Sequence, residues 1–176
     1  MLFVKLRVKR GADYQSYEVP YEEGMTVLSA LQRVKEEIDP SLTFRHFCRA
    51  GICGTCTIMI NGFPKLACKE QVLPYVLFGQ ELVLEPLANF KVIRDLAVDN
   101  DGVLKKVKDM HLWIKEKRGQ IRIEPELSKR IESSADCILC FACQSYCPQV
   151  LEEGYAGPLF FAKLYRLYLD PREEEK

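Results

Sequence analysis

Eight cysteines fall into two groups of four. The first lies in FCRAGICGTCTIMINGFPKLAC, where Cys48, Cys53 and Cys56 share a short loop and Cys68 follows a hairpin. The spacing, C-x4-C-x2-C and a later Cys, is one that ligates a [2Fe–2S] cluster. Four thiolates must converge on two irons, and the loop must wrap closely around the inorganic sulfides. Gly51 and Gly54 allow positive φ and a close approach without a Cβ. Backbone N–H groups can then point at the sulfurs and act on the reduction potential. The second group, Cys137, Cys140, Cys143 and Cys147, runs C-x2-C-x2-C-x3-C and is followed by Pro148. That is a cubane pattern, in which three ligands on one tight turn hold three corners of the cube. The fourth cysteine of such a run characteristically ligates another cluster. No cysteine follows Cys147 and the first four are committed. Three outcomes are open. Cys147 completes a [4Fe–4S] cluster; or the fourth corner lacks a cysteine, which gives a [3Fe–4S] cluster or an iron bound by another ligand; or another chain supplies the missing thiolate and shares a cluster with Cys147.

Zinc is the main rival at both groups, since four-cysteine zinc sites also use short spacings. The x4 spacing with two interposed glycines argues against it at the first group. The x2, x2, x3 run with a following proline argues against it at the second. Arg49 and His46 adjoin the first loop and read as surface groups, and His111 has no cysteine near it in sequence. Paired catalytic carboxylates, a nucleophile elbow and a phosphate-binding glycine loop are all missing from the sequence. The expected role is therefore passage of single electrons, with no bond-making chemistry by the chain alone.

The elements that must position these cysteines can be read from periodicity. Leu2, Val4, Leu6 and Val8 alternate with Phe3, Lys5 and Arg7, which predicts a half-buried strand. Gly11 to Gln15 predicts a turn and Ser16 to Val19 a second strand. Thr26 is an expected N-cap for a helix carrying Val27, Leu31, Val34 and Ile38, stopped at Asp39-Pro40. Thr57 to Ile60 and Lys65 to Ala67 predict a hairpin about Asn61-Gly62. Glu81 to Leu84 predicts a further strand. After about residue 98 the pattern turns helical. One amphipathic helix is expected from Asp101 to about Lys117, and a short one runs from Pro125 to Ser134. A third starts at Gly157-Pro158, is packed in its own domain and partly against a partner, and leads into a frayed REEEK tail. The fold class expected is α+β, with domains at 1–98 and 99–176.

Lys plus Arg equals Asp plus Glu, 25 each, so no basic stripe suggests nucleic acid. The N-terminus lacks the apolar core of a signal peptide, and no run approaches a membrane span. Clustered cysteines without a leader point to a reducing cytoplasm and to metal ligation rather than disulfides.

The two groups, in this order, resemble those of the iron–sulfur subunit of succinate dehydrogenase and fumarate reductase. CRAGICGTC with its NG hairpin and LAC, FKVIRDLAVD, CILCFACQSYCP and GYAGPLFFAKLYRLYLDPRE carry the resemblance over nearly the whole chain. It implies an N-terminal plant-ferredoxin-like β-grasp domain with the [2Fe–2S] cluster. It also implies a C-terminal all-α bacterial-ferredoxin-like domain with the cubane. A partner with FAD would oxidise succinate or reduce fumarate and exchange electrons through both clusters. By position, Cys48, Cys53, Cys56 and Cys68 hold the first cluster, Cys137, Cys140 and Cys143 the second, and Cys147 matches a ligand to a third, [3Fe–4S] cluster. The family's third cysteine group has no counterpart before Lys176. The expectation is that a further subunit supplies the missing ligands or a membrane anchor, or that the relay is shortened to two clusters. Such subunits would also hold a cytoplasmic chain at the membrane periphery. The competing expectation is a free-standing two-cluster ferredoxin, or a module serving a different flavoprotein dehydrogenase.

Overall fold

The structure is a computed structural model and describes residues 2–114 and 121–173. β1 (Phe3–Arg10) and β2 (Asp13–Pro20) form an antiparallel pair. Val4, Leu6 and Val8 turn inward as the alternation requires, but Leu2 lies before the strand and is 50% exposed. The turn is tighter than expected, because β2 starts at Asp13 rather than Ser16. Helix α1 (Val27–Arg33) opens on Thr26, whose hydroxyl accepts from the Ser29 N–H while the Ser29 hydroxyl accepts from the Thr26 N–H. A π-helical turn, Val34–Ile38, continues it and leaves Ile38 exposed.

β3 (Thr57–Ile60) and β4 (Phe63–Leu66) form the expected hairpin. Asn61 and Gly62 both have positive φ, 48° and 82°, as a two-residue hairpin turn of this hand demands. Asn61 does more than turn the chain: its side-chain oxygen accepts from the Val83 N–H at 2.6 Å. A short helix α2 (Leu73–Leu77) precedes β5 (Leu82–Glu85). The sheet order is β2-β1-β5-β3-β4, with β1 and β5 parallel and the other pairs antiparallel. Helix α1 packs Val27, Leu28 and Leu31, and the π-turn adds Val34, into one apolar core with Leu6, Ile60, Leu82 and Leu84.

A second hairpin, β6 (Lys91–Arg94) with β7 (Ala97–Asp99), was not expected from the sequence. Its turn residue Asp95 is 7% exposed and receives Arg10 Nε at 3.1 Å and the Thr43 N–H at 2.8 Å. Arg10 also bonds Asp39 and, at 3.2 Å, the Tyr17 hydroxyl. Hydrogen bonds from Ser41 and Tyr17, together with the Arg10 charge, hold the Asp39 carboxyl down at about 2. This cluster ties β1, the segment before the first cysteine and the second hairpin together.

α3 (Asp101–Asp109), α4 (Pro125–Ala135), α5 (Ala142–Tyr146) and α6 (Pro158–Leu169) complete the order. The first of these ends at Asp109, short of the Lys117 expected; residues 115–120, including the expected connector at 118–120, lie outside the described residues. His111 follows α3 in a left-handed conformation instead of sitting on it. The segment expected to fray is held at its start, because Arg172 bonds the buried Asp170 at 2.8 Å; its end, 174–176, lies outside the described residues. A second apolar core gathers Leu87, Val98, Leu112, Phe141, Leu159, Phe160 and Leu167. Among the described residues, no helix is long and apolar enough to cross a membrane.

Candidate metal centres

The first cysteine loop is built on the sheet. The Ala67 N–H bonds the Cys56 carbonyl at 3.1 Å, which closes the β3–β4 ladder directly beside two of the cysteines. The first N–H groups of α1 reach across, Leu28 to the Ala67 carbonyl and Val27 to that of Glu70, both at 2.9 Å. The turn bearing Cys68 is therefore held from two sides. Cys56 and Cys68 are 4% and 7% exposed, while Cys48 and Cys53 are half-buried. Burial, with Cys68 beside it, pushes the Cys56 thiol up to about 11.

Cys48 has the opposite environment. The N–H groups of Ala50, Ile52 and Cys53 donate to its sulfur at 3.4, 3.4 and 3.3 Å. These bonds, the Ala50 N–H foremost and the Cys53 side chain next, pull its thiol down to about 6. Such a cradle requires the chain to reverse tightly, and Arg49, Gly51 and Gly54 have φ of 57°, 76° and 70°. The donor set, four thiols with backbone amides turned onto a sulfur, suits a cluster that spreads negative charge over its sulfurs. The residues present fit the group.

The second group is held differently. Leu139 and Phe141, either side of Cys140, both have positive φ, 55° and 61°, without being glycine. Cys143 lies on the five-residue α5 and Cys147 caps it. Desolvation first, then the neighbouring Cys140 and Cys137, pushes the Cys143 thiol upward. The Tyr155 hydroxyl is pushed up, by desolvation first and then by the nearby Cys147. Lys163 on α6 donates to the Cys137 carbonyl at 3.3 Å. Fully buried Gln144 donates to the Ala156 carbonyl at 3.1 Å and accepts from the Leu159 N–H at 3.3 Å. Cys137 and Cys140 thus lie near enough to Cys143 to act on its thiol, and Cys147 closes the same short helix. Four thiols about one strained turn again fit an iron–sulfur cubane. Among the described residues, no three His, Cys, Asp or Glu side chains converge as they would about one metal ion.

The two loops touch. A Cβ built on Gly54 would lie 2.8 Å from the Cys140 Cα and 3.0 Å from its N. The contact is reinforced by Ser145 Oγ donating to the Met59 sulfur at 3.4 Å and by Phe63 stacked on Tyr146, centroids 6.0 Å apart. A cavity of about 140 Å³ between them is lined by Arg45, Cys53, Thr57, Leu96, Cys140 and Phe141, among others. His46 is exposed and stacks on Phe44, as a surface histidine should, and Arg49 is exposed. Sequence reasoning missed Gln144, Asn89 and Asp95, and it named Gly157 only as the start of a helix.

A β-sheet unit with four cysteines on one loop and hairpin, joined to a helical unit with four more, defines an iron–sulfur protein class. The family described as "2Fe-2S iron-sulfur cluster binding domain" matches residues 5–105. The fumarate reductase iron-sulfur subunit of Mycobacterium tuberculosis is 34% identical over 95% of this chain and 70% of its own length. A fumarate reductase (CoM/CoB) subunit of Methanothermobacter marburgensis is 39% identical over 99% of this chain, which spans only 36% of that protein. A chain of the Mycobacterium smegmatis Sdh1 complex in the apo form superposes with a TM-score of 0.87 at 29% identity, covering 98% of this chain and 77% of that one. The chain belongs to the succinate dehydrogenase and fumarate reductase iron–sulfur subunit family.

Proposed function

We propose that this chain passes single electrons within a succinate dehydrogenase or fumarate reductase type of complex, between a flavin-bearing partner and a downstream acceptor or donor. In this reading Cys48, Cys53, Cys56 and Cys68 hold a [2Fe–2S] cluster. Cys137, Cys140 and Cys143 hold three corners of a cubane. Cys147 is its fourth ligand or reaches a cluster shared with another chain. Bound in these loops, the clusters supply one-electron exchange. Residues 1–98 and 99–176 act as the two ligand-bearing units. The chain makes and breaks no substrate bonds itself; that chemistry belongs to the partner with FAD, and a further subunit completes the ligand set or anchors the assembly.

The observation that carries the reading is the contact of Gly54 with the Cys140 backbone. It sets the two ligand loops against each other with no intervening side chain, the arrangement a relay needs. The chain's own contribution is positional and electrostatic. The amides of Ala50, Ile52 and Cys53 favour negative charge at Cys48, and the buried Cys56 and Cys68 keep water from the inner side. Anaerobic iron and sulfide quantification, with EPR of oxidised and reduced protein, tests it. About six irons with two reduced-state signals mean that Cys147 completes the cubane, and about five with an oxidised-state [3Fe–4S] signal mean that it does not. A colourless chain that binds zinc sinks the reading. Gly54→Ala, which must push the loops apart, should keep both signals yet slow electron exchange between them.

A further inference from the structure

Asn89 lies on the chain leaving β5, flanked by Leu87 and Phe90 of the second apolar core. Its φ is 63°, a conformation that asparagine tolerates better than most residues. In that conformation its side-chain nitrogen reaches the far end of α5. It donates to the carbonyls of Gln144 at 3.3 Å, Ser145 at 3.0 Å and Cys147 at 3.1 Å. The Gln144 and Ser145 carbonyls lie in the last turn of a short helix, where no further N–H within the helix is available, while that of the capping Cys147 also accepts from the Val150 N–H at 3.3 Å. The cap therefore comes from a residue 58 positions away in sequence from Cys147. The other side of the same turn is held by Gln144, whose amide bridges to the start of α6. Between them the two side chains brace the turn that carries Cys147.

We propose that Asn89 is a positioning residue for the second cluster: by tying off the carbonyls of α5 from the sheet side, it sets where Cys147 presents its sulfur. The inference rests on the reading that Cys137, Cys140, Cys143 and Cys147 are cluster ligands, and it makes the geometry of the second site depend on the first unit. Groups that orient the ligands of a metal site, without touching the metal, commonly change its affinity by about 10- to 100-fold when removed.

The test uses the full chain in its native complex. Asn89→Gly keeps the left-handed backbone and deletes the amide. Asn89→Asp keeps the shape and turns a carboxylate against the three carbonyls. Iron release to a chelator and the EPR signal of each cluster are followed. Both variants should release iron from the second cluster about tenfold faster or more, and broaden its signal, with the first cluster unchanged. Thr26→Ala, a cap removed from α1, serves as a control for general destabilisation and should leave the second cluster at wild-type values. Variants whose second cluster matches wild type in rate and signal overturn the inference alone. So do variants in which both clusters change equally. A wild-type complex with no cluster on Cys137, Cys140 and Cys143 overturns both this inference and the functional reading beneath it.

Discussion

Cys56 and Cys68 are nearly buried beside paired strands, whereas Cys143 is exposed on a helix of five residues. The first cysteine loop takes most of its shape from hydrogen bonds within about 20 residues of chain, the Cys48 cradle, the Cys56–Ala67 ladder bond and the Asn61-Gly62 turn, and α1 braces the turn at Cys68. The second loop takes its shape from remote groups. Asn89, Lys163 and Met59 come from a linker, α6 and the sheet. A locally organised loop can form as soon as its hairpin does. A loop organised from a distance has the shape of its site only when the two cores are docked. The comparison teaches that the second site should be the more labile, and that its lability should answer to substitutions far from any cysteine.

The sharpest way to break this contrast is Gly157→Ala. Its φ is 105°, and a Cβ there would fall 2.1 Å from the Gln144 side-chain oxygen. Gln144 is buried and cannot swing away, so the substitution should cost about 3 kcal/mol in overpacking and backbone strain. Iron counting should show loss of the second cluster with the first retained; equal loss from both would erase the distinction.

Arg10→Ala attacks the other half. It strands the buried Asp95 carboxylate, so chemical denaturation should show a loss of roughly 2–3 kcal/mol. The loss should fall on the sheet unit and the hairpin β6–β7, where Asp95 sits.

Thr26→Ala removes one capping bond of α1 and should lower stability by about 1 kcal/mol. Because α1 donates to the turn bearing Cys68, the first cluster should respond and the second should keep its wild-type values.

The smallest effect is that of pH. Asp39 is held below its ordinary value, so it contributes stability above the unfolded carboxylate range, near 3.8, and loses it as pH falls towards about 2. An NMR titration should find the Asp39 carboxyl changing near 2, well below the ordinary carboxylate range. An Asp39 midpoint in the ordinary range would remove the support this cluster gives to the segment before Cys48.

Much of the first unit was legible in the sequence because its information is local. Alternation at Val4, Leu6 and Val8, the cap at Thr26 and the Asn61-Gly62 turn each follow from a period or a short-range bond. β3 was read to the residue for the same reason. α2 and the β6–β7 hairpin were not foreseen. The strand Lys91–Arg94 is exposed throughout, so it has no alternation to read, and its turn is stabilised by Arg10 from the opposite end of the unit. Helix α3 was read too long, since its periodicity runs on through Met110 and Ile114 past the observed end at Asp109.

The sequence by itself determined the cysteines, their grouping, the turns that glycine permits and the helix and strand periods. These depend on residue type and on contacts a few positions apart. Only the tertiary structure decided that Gly54 abuts Cys140, that Asp95 is buried under Arg10, and that Asn89 caps a helix 55 residues on. Those contacts join residues with no shared period, and packing of the two cores against each other is what brings them within reach.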